Sequence, residues 1–301
     1  PHPPQLSHDP LIPPPTHPPA CGSMDSQTNL FSNSCPMHTW HWRTWNNLPY
    51  LTCSLLDSWP HGFFTQHYAP RSPAELTQIL HPTAQPYRVK QVHGNIVLAP
   101  SEVMLTEQES HRSTSPGAEI PAADGLITEQ GGQSVWVCSA DCTPVLIADA
   151  QTGQVAAVHA GWRGTALKIV PQAIARLQSQ GSRLQDLRIA MGPAIAGEVY
   201  QVSEQVAVEV GATIAALDPT EPAKAVTTLH QLPNSPVLED AQPGRVRLDV
   251  RRVNALQLEQ LGIDPEQVAI APHCTYQNPD HFFSYRRSQE KKAQWSGIVS
   301  G

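Results

Sequence analysis

The chain has 301 residues, of which 40% are hydrophobic and 15% charged, an apolar share typical of soluble domains beside a charged share below the usual ~25%. Nineteen basic and 26 acidic side chains give a formal net charge of −7 with no long basic run, which excludes a nucleic-acid binder that works by neutralising phosphates. No segment approaches the ~18–20 uninterrupted apolar residues of a membrane span, so a soluble enzyme or small-molecule binder is expected.

The first twenty residues hold nine prolines and three histidines, with neither a basic start nor a continuous apolar stretch, a pattern unlike a secretory signal. Residues 1–46 read as a disordered Pro-rich tail and lead-in, because little apolar periodicity is available to offset chain entropy. Residues 47–301 read as one domain. Trp40, Trp42 and Trp45 mix strand and loop spacing, 61–65 reads as a strand, and the polar stretch 101–120 reads as a loop. Three apolar runs, 134–139, 144–148 and 155–159, are bounded by turn signals and predict buried strands.

Leu167, Val170, Ile174 and Leu177 then recur at spacings of three and four. They mark one buried helix face over 166–178, with Thr165 as N-cap. Pro171 suits only a first turn and argues for a later start. A strand at 187–191, helices at 203–217 and 249–261, and strands at 268–271 and 281–285 complete the pattern. The second of those helices opens at Asp249 and stops at Gly262. Residues 218–246, rich in proline, threonine and acidic side chains, read as a surface excursion. Interleaved elements with several connections too short for parallel crossovers predict an α/β (α+β) sandwich: a single domain with a mixed sheet and helices packed outside.

Six cysteines, at 21, 35, 53, 138, 142 and 274, are sparse and unevenly spread. A disulfide scaffold is short and cysteine-dense, so a reducing, cytoplasmic compartment is expected. His93, Cys142 and His159 stand out for chemistry. Each follows an apolar run and neighbours Gly, Pro or Asp, where a strand ends and a rigid sheet presents reactive groups. Singly, each has an ordinary reading, as a hydrogen-bonded structural histidine or as a cysteine acting as a small hydrophobe; Cys138 reads as such a core residue.

Together the three leave two chemistries open. Two imidazoles and a thiolate are three zinc ligands with a fourth position free. Alternatively, Cys142 is a nucleophile with a histidine as its base. Asp141, beside Cys142, is placed to move a proton or to orient a histidine. The turn Gly161-Trp162-Arg163-Gly164 is a candidate phosphate or carboxylate seat. Gly161 and Gly164 permit close backbone approach, the helix expected after Gly164 offers free N–H groups, and Arg163 brings a fork of donors. No Walker sequence and no Gly-x-Gly-x-x-Gly follows a strand, so neither a nucleoside triphosphate nor an NAD site is indicated.

Several blocks occur in one order: Gln91-Val92-His93-Gly94, Ala123-Asp124-Gly125-Leu126-Ile127-Thr128, Ala140-Asp141-Cys142-Thr143-Pro144, Val158-His159-Ala160-Gly161-Trp162-Arg163-Gly164-Thr165, Gly192-Pro193-Ala194-Ile195, Cys274-Thr275-Tyr276 and Phe282-Phe283-Ser284-Tyr285-Arg286-Arg287. Together, over roughly residues 47–299, they resemble the laccase-domain family, long labelled multicopper polyphenol oxidase and associated with purine nucleoside phosphorylase activity. The resemblance implies a single α/β sandwich domain. It also implies a zinc-dependent enzyme that phosphorolyses adenosine, inosine and methylthioadenosine and deaminates adenosine, with purine nucleosides and inorganic phosphate as its partners.

On the same resemblance His93, Cys142 and His159 are metal ligands, for zinc or alternatively copper, and Arg71 is an upstream active-site arginine. Two positions depart from the family pattern. Gln66 stands where an arginine is frequent, and Lys292-Ala293-Gln294 stands where a Gly-Arg pair usually follows the Ser-Tyr-Arg block; both bear on substrate contacts. The His-x-Glu and Pro-Cys-x-x-Cys signature of zinc deaminases is lacking, so deamination needs another arrangement of groups. The rival readings are a copper-dependent polyphenol oxidase, whose multicopper centre needs many more histidines than three, a cysteine hydrolase using Cys142, and a non-enzymatic purine-binding or partner-binding module. The sequence does not specify an oligomeric state.

Overall fold

A computed structural model describes residues 38–103 and 120–301. Residues 1–37 of the tail and lead-in expected over 1–46, and residues 104–119 of the loop expected over 101–120, lie outside the described residues. Two six-stranded sheets carry the architecture. The first runs β1 (Trp40–Trp45), β2 (Leu48–Cys53), β3 (His61–Phe64), β15 (Gln294–Val299), β7 (Gln133–Ser139) and β4 (Gln85–Arg88). The second runs β14 (Val268–Ile270), β10 (Leu187–Met191), β8 (Thr143–Asp149), β9 (Val155–Ala160), β6 (Gly125–Ile127) and β5 (Val97–Leu98). Each mixes parallel and antiparallel pairs. A small third sheet runs β11 (Gln201–Ser203), β13 (Arg245–Leu248) and β12 (Val237–Glu239).

The core lies between the two large sheets, where Leu51, Phe63, Val135, Val137 and Ile298 of the first meet Leu126, Leu146, Val155, Ala157 and Ala190 of the second. Helix α1 (Pro73–Leu80) covers the outer face of the first sheet, packing Leu76 with Phe64, Tyr68 and Trp136. A short helix α2 (Trp162–Ala166) follows β9, and then α3 (Ile169–Ser179) lays Ile169, Val170, Ile174 and Leu177 on the outer face of the second sheet. Strands β8 and β9 therefore bury both faces: Val145, Ile147, Ala156 and Val158 point to the helices, the alternate residues to the other sheet. This is why they read as unbroken apolar runs. The expected α/β sandwich is what forms, with its sheet doubled.

Four expectations change. The helix begins at Trp162, not after Thr165, and breaks at Lys168, which adopts a left-handed φ of 57° and starts α3. Pro171 is thereby the third residue of α3, where its missing N–H has no helical partner to lose. The stretch 218–246 is built into the fold. Helix α4 (Glu204–Gly211), helix α5 (Pro222–His230) and the third sheet share a core of Val208, Val226, Leu229, Val237 and Val246. Helix α6 (Val250–Gln260) opens on an Asp249 cap as expected, but 281–285 is no strand: Ser284 caps the turn of helix α7 (Tyr285–Ser288). The last strand is β15, inserted between β3 and β7. Finally, β1 pairs along its whole length with β2, so strand pairing starts before residue 47.

His61 in β3 supplies a test of the packing. Its ring is buried, with Nδ1 donating to the Trp59 carbonyl at 2.8 Å and Nε2 accepting from the Cys53 N–H at 2.9 Å. Burial outweighs the Trp59 carbonyl contact and holds its pKa below the usual range. The unfolded chain thus takes up a proton near pH ~6.5 that the folded chain refuses. The stabilisation is complete above ~6.5 and lost on acidification below it, at no more than about 1.4 kcal/mol per pH unit for one proton. Thermal melts between pH 7 and 5 should show a steeper fall for the native chain than for His61→Gln; equal slopes would assign the acid loss to other groups.

Candidate active site

Strand pairing alone brings the sequence-distant residues together. In the β8–β9 pair Thr143 lies opposite Ala160 and Pro144 opposite His159. In the β6–β9 pair Gly125 lies opposite Val158. Cys142, Asp124 and His159 therefore arrive at one end of the second sheet. Leu126, Leu146 and Ala157 face the other sheet, and each of the three site residues is an even number of positions from one of them, hence on that same side. The loop 91–94 brings His93 to the same place. The ligand atoms of His93, Cys142 and His159 lie within 4.8 Å of one another. The two imidazoles meet edge to face, with centroids 4.9 Å apart. His159 is the buried floor, Cys142 is half-buried, and His93 is the exposed rim.

The residue that organises them is Asp124, fully buried. Its Oδ1 accepts from His159 Nδ1 at 2.9 Å and from the His93 N–H at 2.9 Å; its Oδ2 accepts from the Gly94 N–H at 2.7 Å and the Val92 N–H at 3.1 Å. Three successive amides, with His93 at a left-handed φ of 62°, form a nest around one carboxylate. Burial alone would raise the Asp124 pKa, but His159 and the amides outweigh it and hold the carboxyl below its ordinary range. On the other side of the loop Gln91 donates Nε2 to the Cys138 carbonyl at 2.7 Å and accepts at Oε1 from the Cys138 N–H at 2.8 Å. Its amide thus extends β7 as a backbone would.

An ionised carboxylate only accepts, so His159 carries its proton on Nδ1 and turns Nε2 toward Cys142. Burial opposes charge on the Cys142 thiol, yet His159 and His93 lower its pKa to about 6. His159, against the same burial, is raised to about 9 by Asp124 and Cys142. The ionised thiolate is the form in which Cys142 binds a metal, and a metal at Nε2 would displace the second proton that the raised pKa gives His159. Gly161 makes the space: a Cβ there would sit 2.7 Å from Cys142 Sγ and 3.4 Å from the His93 ring.

The donor set fits a metal by its chemistry. One thiolate and two imidazoles match a zinc site that keeps one position open, and tetrahedral ligands about 3.3–3.7 Å apart are within small side-chain adjustments of this cluster. Among the described residues it is the single group of three or more such donors.

The other expected residues divide. Gly161 is the N-cap of α2, and the Arg163 guanidinium lies 4.5 Å over the Trp162 ring with no hydrogen bond or ion pair among the described residues. Gly164 does not precede the helix, as expected, but is its third residue. It brings α2 against the Gly94 and His159 carbonyls, which a Cβ would approach at 3.1 and 3.5 Å. Asp141 does not orient a histidine. It sits at φ 94°, and its carboxylate accepts from Thr275 Oγ1 and from the Arg286 N–H, both at 2.7 Å. The orienting carboxylate is Asp124, adjacent across the sheet where Asp141 is adjacent only in sequence.

Arg71 stacks between the Tyr68 and Trp45 rings and shares no hydrogen bond, ion pair or ring contact with the three cluster residues. Cys138, expected in the core, is half-buried and belongs to none of the core clusters; burial still pushes its thiol up to about 11. Gln66 donates to the Pro279 carbonyl at 2.7 Å, and Gln294 accepts from the Phe283 N–H at 2.8 Å, so both departures from the family pattern brace the C-terminal segment. Asp124 and Gln91 were missed as site residues, although each stands in a block quoted above.

A family model described as multi-copper polyphenol oxidoreductase laccase matches residues 71–300. A protein named purine nucleoside phosphorylase from Synechocystis sp. is 50% identical over 267 residues, covering 87% of this chain and 97% of that one. An adenosine deaminase RL5 from an unknown prokaryotic organism is 29% identical over 170 residues, covering 56% of this chain and 59% of its own. The crystal structure of YlmD from Geobacillus stearothermophilus superposes with a TM-score of 0.70 at 23% identity, covering 86% of this chain and 98% of that one, which shows the shared fold. The matched length and these relatives together establish that the chain belongs to the laccase-like multi-copper polyphenol oxidoreductase family.

Proposed function

We propose that the protein is a zinc-dependent purine nucleoside phosphorylase, taking adenosine, inosine or methylthioadenosine with inorganic phosphate, and that it also deaminates adenosine. The observation that carries this reading is the meeting of a thiolate and two imidazoles within 4.8 Å, with Arg163 on the short helix capped by Gly161, a guanidinium that no described residue neutralises. The similarity to the Synechocystis purine nucleoside phosphorylase along nearly all of that protein's length supports phosphorolysis, and the likeness to the adenosine deaminase supports the second activity. The four described cysteines are free thiols, which supports a reducing, cytoplasmic setting. No helix of the described residues is long and apolar enough to cross a membrane.

Phosphorolysis forms a bond from a phosphate oxygen to the anomeric carbon while the bond to the purine nitrogen breaks, and the purine takes up a proton. Positive charge grows on the ribose and negative charge on the base. The chain must therefore hold an anion near the sugar and keep it oriented. Arg163 provides a fork of donors for that anion, and Gly161 keeps the backbone clear of the Cys142 sulfur. Asp124 fixes the His159 tautomer and the His93 loop, so the donors face one point before any ligand arrives. A zinc ion held by His93, Cys142 and His159 supplies Lewis acidity and acidifies water, the chemistry deamination requires. A multicopper oxidase needs more donor groups than the single cluster found among the described residues.

Adenosine should yield adenine and ribose 1-phosphate only when inorganic phosphate is added. Arg163→Ala should weaken phosphate use about 10- to 150-fold, the equivalent of ~1.5–3 kcal/mol, read by product chromatography over a phosphate series. Equal adenine release in phosphate-free buffer would identify a hydrolase and defeat the reading. Exhaustive chelation should abolish activity and zinc should restore it, whereas a cysteine hydrolase would keep its activity without metal. Asp124→Asn should lose about 10- to 100-fold in zinc affinity or activity by elemental analysis and assay, and retention of both would remove its orienting role.

A further inference from the structure

One exposed guanidinium offers an anion charge but little direction, and Arg71 is engaged with the Trp45 and Tyr68 rings. The geometry points to another partner: we propose that Arg286 and the Tyr200 hydroxyl form, with Arg163, the phosphate-holding wall of the active site, and that Asp141 is the positioning residue for Arg286. The role of that phosphate rests on the phosphorylase reading; its binding does not.

Arg286 enters the site through Asp141. Its N–H donates to Asp141 Oδ2 at 2.7 Å, Thr275 Oγ1 donates to Oδ1 at 2.7 Å, and the Ile195 N–H donates to the Asp141 carbonyl at 2.9 Å. The residue next to Cys142 is thus tied to three segments, one of which starts α7. The Arg286 guanidinium lies 4.8 Å over the Tyr200 ring, and its Nη1 donates to the Gln201 carbonyl at 3.0 Å. Among the described residues Nε and Nη2 have no partner. Arg163 repeats the arrangement on Trp162. Each guanidinium rests on an aromatic face, which fixes its plane and leaves donors free at its edge.

Tyr200 joins the two. Its ring packs with Trp162 against the same cluster of Val202, Val208 and Val246, and its hydroxyl has no hydrogen-bond partner among the described residues. The charged groups acting on that hydroxyl are Cys142, Arg286, Asp141 and Arg163. A phenol is protonated at neutral pH, so the hydroxyl can donate. Asp141 is the one carboxylate in this set, and both its oxygens are already taken by Thr275 and Arg286. The open groups are therefore two guanidiniums and a hydroxyl, donors only, carried on three segments that Asp141 and the Tyr200–Trp162 packing tie together. That suits a tetrahedral dianion with several acceptor oxygens better than a planar carboxylate, which one fork would satisfy.

The test uses the full, zinc-loaded chain and inorganic phosphate alone. Phosphate affinity is read by calorimetry without nucleoside, and the KM for phosphate and for adenosine by assay. Tyr200→Phe, which keeps the ring under Arg286, and Arg286→Gln should each weaken phosphate binding and raise its KM about 10- to 150-fold. Zinc content, melting temperature and the adenosine KM should stay as they are. Arg286→Lys should recover part of the loss. Asp141→Asn should raise the phosphate KM in the native background and add little on top of Arg286→Gln, because it acts through that side chain. Unchanged phosphate affinity in Tyr200→Phe and Arg286→Gln would overturn the proposal, as would a rise in the adenosine KM in its place. Phosphate binding that weakens as expected in a protein making no ribose 1-phosphate would keep this seat and defeat the phosphorylase reading.

Discussion

Asp124 carries its charge where no solvent reaches it, and an unpaired carboxylate in such a place is costly enough to be protonated instead. Four donors prevent that: three consecutive amides of the 92–94 loop and Nδ1 of His159. The dependence runs both ways. Without the carboxylate three amides lose their partner, His93 loses the reason for its left-handed backbone, and His159 is free to choose its other tautomer. The charge on Cys142 follows in turn, since it is the two histidines that keep that thiol ionised.

The fold makes this coupling rigid. Asp124, Cys142 and His159 stand at adjacent strand ends of a sheet that is packed on both faces. Their spacing is therefore set by main-chain hydrogen bonds rather than by loops. Gly164 seats α2 directly on the carbonyls of Gly94 and His159, so the helix that carries Arg163 is registered to the same strand end. A pre-arranged set of donors loses little freedom when a ligand arrives, which is how a small polar site gains both affinity and rate.

Much of the second sheet was legible in the sequence because strands buried on both faces are apolar at every position, and α6 was legible because Asp249 and Gly262 mark its ends. The strand β15 was not. Its Ser296 and Gly297 interrupt any alternation, and Gly297 is required there because a Cβ would stand 2.4 Å from the Trp136 ring. The aromatic run before Arg286 carries strand-like residues, yet Ser284 caps a helical turn within it. In the site, residue type at strand ends was enough to single out His93, Cys142 and His159. Asp124 escaped because an Asp before a Gly reads as a turn, and its partners come from strand pairings that no local pattern encodes. Asp141 misled for the same reason, being a neighbour along the chain and not across the sheet.

The Asp124 carboxylate holds the proton of His159 on Nδ1 and so directs Nε2 into the cluster. Nitrogen-detected NMR of the His159 ring tests it most directly, in the native chain and in Asp124→Asn. A protonated, slowly exchanging Nδ1 in the native chain, whose proton becomes labile when Asp124 is replaced, is the predicted result. An Nδ1 without a proton in the native chain, or one whose exchange is unaffected by the substitution, would contradict the account.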